Sequence, residues 1–179
     1  YGDTIRYVRS GAGVTIDLAA RSASGGDAAG DQIAAFTTAT NQQISSIENV
    51  IGSETGGDAL YGDDRANRLS GLGGIDTLEG RGGDDVLVAG SGGDTVRGGD
   101  GADNVLGDAG DDWLYGDAGD DIVIGGEGVD RIWGGAGNDH GPGVGAGLSG
   151  GEGVDYIHGE AGDDVIAGDA GNDWLYGED

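Results

Sequence analysis

The chain has no cysteine and no methionine, one proline (Pro142), one phenylalanine, and 8 basic against 34 acidic residues in 179. Without cysteine there is no disulfide framework, no thiolate metal site and no cysteine nucleophile. The shortage of lysine and arginine leaves a formal charge of −26. Such a surface has no basic footprint for nucleic acid and repels phosphate. Long apolar runs are missing too: none approaches the roughly 18 residues of a membrane span, and no signal-peptide pattern opens the chain. H-E-x-x-H and G-x-S-x-G are absent, and the two histidines, His140 and His158, have no zinc-ligand spacing. Acid pairs abound, but choosing one as a glycosidase pair would be arbitrary. Cations are the natural partners of what remains.

What is present is glycine, 44 residues of it, and aspartate in a fixed rhythm. From Gly62, eight nine-residue units follow without a gap: GDDRANRLS, GLGGIDTLE, GRGGDDVLV, AGSGGDTVR, GGDGADNVL, GDAGDDWLY, GDAGDDIVI and GGEGVDRIW. A ninth opens as GGAGND at Gly134, carries seven extra residues at 140–146, and closes with Gly147-Leu148-Ser149. GGEGVDYIH, GEAGDDVIA and GDAGNDWLY complete twelve.

Position six is aspartate in eleven units: Asp76, Asp85, Asp94, Asp103, Asp112, Asp121, Asp130, Asp139, Asp155, Asp164 and Asp173; the first unit has Asn67. Position eight is aliphatic in every unit, from Leu69 to Leu175. A nine-residue period fits neither a helix face nor a long alternating strand. Six turn-forming residues followed by a three-residue strand fit it, with position eight inward and positions seven and nine outward. One aliphatic residue in nine is little burial to set against the ordering entropy of so much glycine. The metal-free chain is therefore expected to be disordered, and a cation to supply folding energy.

These units resemble the glycine-rich RTX nonapeptide, G-G-x-G-x-D-x-U-x with U a large aliphatic residue, from Gly62 to Tyr176. The resemblance implies an all-β fold: a right-handed parallel β-roll of about six coils, two units per coil, with Ca²⁺ between turns stacked on the same edge. One edge then carries Asn67, Asp85, Asp103, Asp121, Asp139 and Asp164, and the other Asp76, Asp94, Asp112, Asp130, Asp155 and Asp173. The remaining ligands implied are backbone carbonyls of the glycine-rich half-turns, at Gly74, Gly83, Gly92, Gly101, Gly110, Gly119, Gly128, Gly137, Gly153, Gly162 and Gly171. Five gaps per edge set an upper limit of about ten ions. Elementary chemistry asks for the same ion, because Ca²⁺ takes about 6 to 8 oxygen ligands and stacked carboxylates at strand spacing repel unless neutralised. Asp84, Asp111, Asp117, Asp120, Asp163 and Asp169 are read as acids that are solvated or support the ligands from behind, and not as direct ligands.

Residues 1–51 read as an irregular β-rich lead-in that caps the roll, 52–61 as a degenerate first turn, and 62–179 as the repeat array with a surface insertion at 140–146. Val14, Ile16 and Leu18 alternate as in a half-buried strand, and Ile44, Ile47 and Val50 precede the repeats. Asp27 and Asp31 could hold a further ion, and 32–43 could form a short helix. Thr4 to Arg6 reads as the tail of a repeat and Tyr176-Gly177 as the start of another, so the chain is expected to be a piece of a larger protein.

Outward positions on alternate coils place Trp113, Trp133 and Trp174 on one face with Arg97 and Arg131, a surface for a polysaccharide or a protein. The opposite face, with Val86, Val88, Ile122 and Ile124, suits a neighbouring module of the same protein. Two functions follow from the resemblance. The first is a noncatalytic module that folds on Ca²⁺ outside a bacterial cell, after type I secretion, and serves the secretion, folding and stability of an extracellular, adhesin or surface protein. The second is the C-terminal accessory region of a secreted metalloprotease, lipase or alginate epimerase.

Overall fold

A computed structural model of the chain describes residues 4–6, 13–20, 22–25, 49–141, 145 and 147–178. Asp27, Asp31, Ile44, Ile47 and the stretch 32–43 lie outside the described residues, as do 142–144 and 146 of the insertion. Among the described residues there is no helix.

The fold is a parallel β-solenoid. Successive units alternate between two sheets, so that each strand pairs with the strands two units before and after it. Asn104 to Leu106 pair with Ile122 to Ile124, and Trp113 to Tyr115 with Arg131 to Trp133, both 18 residues on. Past the insertion the same pairing joins Val123 to Leu148 and Arg131 to Tyr156, so the step grows to 25. Beyond the six coils of regular units, Asn49–Ile51 and Ala59–Tyr61 add a seventh. Thr4–Arg6 and Val14–Asp17 extend the two sheets further, and Ser22–Gly25 closes the second as an antiparallel edge.

The strands differ from the three-residue expectation. Most are six residues long, as in Arg68–Gly73 and Trp113–Ala118, covering positions seven to nine and running on through positions one to three. Pairing continues past position two, where Leu72 aligns with Gly90 and Asp117 with Gly135. What turns the chain there is a left-handed residue at position two: Leu72, Arg81, Asp108, Asp117, Glu160 and Asp169 have φ between 65 and 78°. Stacking holds these non-glycine residues in a conformation that costs about 1 kcal/mol or more each. Position four is left-handed too, but with glycine, as at Gly110 (φ 144°).

The core is a single file per sheet. Leu69, Leu87, Val105, Val123 and Leu148 line one sheet and Leu78, Val96, Leu114, Ile132 and Ile157 the other, all at most 1% exposed. Val50, Leu60, Val14 and Ile16 extend the files into the lead-in. The inward expectation fails only at the last coil, where Ile166 is partly buried and Leu175 is 48% exposed. No described strand follows them to cover the row.

Outside, the three tryptophans share the nine-stranded sheet. Tyr115 stacks on Trp133 with centroids 4.7 Å apart, Trp133 on His158 at 5.8 Å, and His158 on Tyr176 at 4.5 Å. Arg97 lies 4.1 Å over Tyr115, and Arg131 sits between Trp113 and Tyr156. The rings lie nearly parallel and stack face on face from coil to coil, bracing successive coils from outside.

Candidate metal centre

Stacking at an 18-residue step brings the position-six residues into two columns, one on each edge of the roll. Asp76, Asp85, Asp94, Asp103, Asp112, Asp121, Asp130, Asp139 and Asp155 are all at most 1% exposed. Within a column, each backbone amide donates to Oδ1 of the position-six residue one coil on. Asp85 bonds Asp103 in this way at 2.7 Å, Asp112 bonds Asp130 at 2.9 Å, and, across the insertion, Asp130 bonds Asp155 at 2.9 Å. Asp164 and Asp173 join the two columns through Asp139 and Asp155.

One oxygen per carboxylate is thereby used. The other, Oδ2, is buried without a hydrogen-bond partner at ten consecutive ladder aspartates, from Asp76 to Asp164. An orphaned buried carboxylate oxygen is costly, and ten in register call for a common positive partner. No group of three or more His, Cys, Asp or Glu side chains converges among the described residues. Most ligands of any ion here would therefore come from the backbone.

The backbone has them. An added Cβ on the position-one glycines Gly80, Gly107 or Gly125 would overlap Oδ2 of Asp85, Asp112 or Asp130, and would also crowd the position-one carbonyl of the next coil, from Gly98, Gly125 or Gly150. Position one is thus a cradle shared by an orphaned oxygen and a carbonyl. The position-four glycines lie on the Oδ1 side: a Cβ on Gly92, Gly153, Gly162 or Gly171 would crowd Oδ1 of Asp94, Asp155, Asp164 or Asp173. Among the described residues, no backbone amide donates to the carbonyls of Gly74, Gly83, Gly92, Gly101, Gly110, Gly119, Gly137 or Gly162. The donor set is all oxygen, with one charged group per turn, which fits a hard divalent cation such as Ca²⁺.

A family model for the RTX calcium-binding nonapeptide repeat matches this chain in four copies, over residues 61–96, 97–132, 115–140 and 149–179. The chain belongs to the RTX calcium-binding nonapeptide repeat family. No curated protein matches it.

Three features of these RTX turns escaped the sequence reading. The first is Asp58, 3% exposed, whose amide donates to Oδ1 of Asp76 at 2.7 Å, so that it is a further ladder member. The second is the position-one cradle. The third is an outer ladder at position five running the other way, in which Asp84, Asp111 and Asp120 accept from the amides of Ala102, Val129 and Asn138. Its only sequence signal is an acidic or amide residue just before the ladder aspartate.

Burial raises Asp76, Asp85, Asp112 and Asp121 to about 7, and Asp103, Asp130 and Asp139 to about 6. The amide on Oδ1 opposes the rise, and neighbouring carboxylates add to it. Asp94 and Asp155 are raised too, burial again the main cause. A carboxyl raised on folding stabilises the fold below its unfolded value, near 4, and that contribution is lost as pH climbs through 6 to 7. Protons should thus stand in for metal. In excess chelator, the β-sheet circular dichroism should grow as pH falls from 7.5 to 5. Growth on raising the pH instead would contradict this.

Proposed function

We propose that this chain is a noncatalytic calcium-binding β-roll module whose folding is switched by Ca²⁺ outside the cell. The observation that carries the reading is the row of ten orphaned Oδ2 atoms, nine of them buried beside a position-one glycine; at Asp94 position one is the buried Ala89. In this reading the ions sit between successive coils on each edge. Oδ2 of Asp76, Asp85, Asp94, Asp103, Asp112, Asp121, Asp130, Asp139, Asp155 and Asp164 supplies charge, Asp173 completes its column, and carbonyls of the glycine-rich half-turns fill the shell.

Without cations the stacked carboxylates oppose closure, and the single aliphatic file offers little to offset them. Cytosol is poor in free Ca²⁺ and the extracellular medium is rich in it. The family resemblance adds export of an unfolded chain by a type I machine, so the module would remain open inside and close on arrival. It would serve the secretion, folding and stability of a larger bacterial extracellular or surface protein. The stacked rings around Trp133 support the same role by bracing coils once these have closed.

Far-UV circular dichroism at neutral pH tests this. On adding Ca²⁺ the spectrum should change cooperatively to β-rich, with a midpoint of roughly 0.1 to 1 mM, and Mg²⁺ should substitute poorly because it demands a smaller octahedral cage. A spectrum equally β-rich in excess chelator would reject the switch.

A further inference from the structure

The first turn on each edge is built differently from those that follow. In the turn 52–58, both carboxylate oxygens of Asp58 are already satisfied. Oδ1 accepts the Val14 amide at 2.7 Å, Oδ2 accepts the Ser53 amide at 2.6 Å, and the Ser53 hydroxyl lies 3.0 and 3.1 Å from the two. Ser53 is itself fully buried, and its hydroxyl also bonds the backbone of Gly56. In the turn 62–67, the position-six residue is the neutral Asn67. Its Oδ1 faces Gly62, as Oδ2 does in later turns, and accepts the Asp63 amide at 2.8 Å.

Ser53 and Asp63 share a feature. Each occupies position two, and neither has the positive φ found there in the next units, at Leu72 and Arg81. With position two outside the left-handed region, its N–H reaches the position-six oxygen. With position two left-handed, that oxygen is left without a partner. The backbone at position two thus separates a closed turn, whose position-six oxygen is bonded from within even where the Asn67 Nδ2 is not, from an open turn that needs a cation.

A tethered cation completes the same end of the roll. The Arg81 guanidinium donates to both oxygens of Asp17 at 2.9 and 3.0 Å and to the Gly62 carbonyl at 2.8 Å, and lies over the Tyr61 ring.

We infer that the turns 52–58 and 62–67 are metal-independent, and that with Val14–Asp17 and Arg81 they form a cap from which the calcium-dependent coils close in sequence. The inference rests on the calcium reading above, and it gives the ladder a direction: Ca²⁺ adds open turns to an end that is already formed. A chain of coils that interact only with their neighbours needs such an end, because closing the first coil has no partner surface to build on. Asp58 is thus a ladder carboxylate that holds no ion, and Asn67 a ladder carboxamide that holds none.

Hydrogen exchange of the whole chain, read by peptide mass spectrometry in chelator and in Ca²⁺, tests this. In chelator, amides in 14–18 and 50–63 should be protected while those from 86 to 175 exchange freely; Ca²⁺ should protect both. Ser53→Ala should lose the chelator-state protection and raise the Ca²⁺ midpoint about fivefold. Arg81→Gln, which leaves Asp58 untouched, should do the same more weakly. Uniform free exchange in chelator, followed by protection everywhere in Ca²⁺, would overturn the cap and leave the calcium reading intact. Ser53→Ala with the parent's midpoint would overturn it too. A parent chain whose 86–175 region gains no protection from Ca²⁺ would remove the calcium reading and the cap with it.

Discussion

Gly110→Ala should block closure of the central coils even at saturating Ca²⁺. Gly110 has φ 144°, where an L side chain is strained, and its added Cβ would overlap the carbonyl oxygen of Gly92 in the preceding coil. That neighbour is backbone, its amide bonded to the Ala109 carbonyl at 2.8 Å, and cannot swing aside as a side chain would. Strain and overlap together should cost at least about 3 kcal/mol, a large share of any domain's stability. Gly82→Ala is the matched control. Gly82 has no positive φ, and its new Cβ would find nothing nearer than the Asp64 Cα at 3.7 Å. Alanine already occupies the same position-three place at Ala109, Ala118, Ala136 and Ala161. Thermal melts in Ca²⁺ should show a lost or strongly lowered transition for Gly110→Ala and a melt near the parent's for Gly82→Ala. Equal melting of the two would mean that position four is not packed as described.

Replacing Asp112 and Asp130 together by asparagine should raise the Ca²⁺ midpoint at least about tenfold, equivalent to about 1.4 kcal/mol. Asparagine keeps an oxygen for the 2.9 Å bond from the Asp112 amide to Oδ1 of residue 130. What is lost is the charge of two neighbouring Oδ2 atoms, both orphaned and buried. Asp117 and Asp169 carry the same charge at position two and are not in the ladder; Asp117 meets Arg97 at 3.4 Å and Asp169 meets Ser149. Asp117→Asn with Asp169→Asn should therefore move the midpoint less than about twofold, as surface charge changes do. Calcium titrations of the two double variants compare them, and equal midpoints would remove position six from the ligand set.

Much of this was legible because the repeat is long and its two invariants are physical. An aliphatic residue at position eight, from Leu69 to Ile157, needs an inward place, and two units per coil return Asp85 beneath Asp103. Where a single residue broke the count, the reading stopped. Between Ile51 and Ala59 the turn has seven residues in place of six, and Asp58 escaped because of it. The left-handed position two was hidden by residues such as Leu72 and Arg81, which avoid that conformation unless tertiary stacking enforces it. Six-residue strands were missed for the same reason: local turn propensity at positions one to three yields to pairing with the coils on either side. The split of each carboxylate into a bonded Oδ1 and a bare Oδ2 has no sequence signature, since it arises between coils.

The most direct test of the account is the anomalous difference density of a crystal grown in Ca²⁺. Peaks should run in one row along each edge, one per gap between open turns, each about 2.3 to 2.6 Å from Oδ2 of a ladder aspartate such as Asp85, Asp103, Asp112 or Asp121. None should lie at Asp58, whose oxygens are already bonded. A folded, calcium-grown crystal with no density beside those Oδ2 atoms would contradict the account.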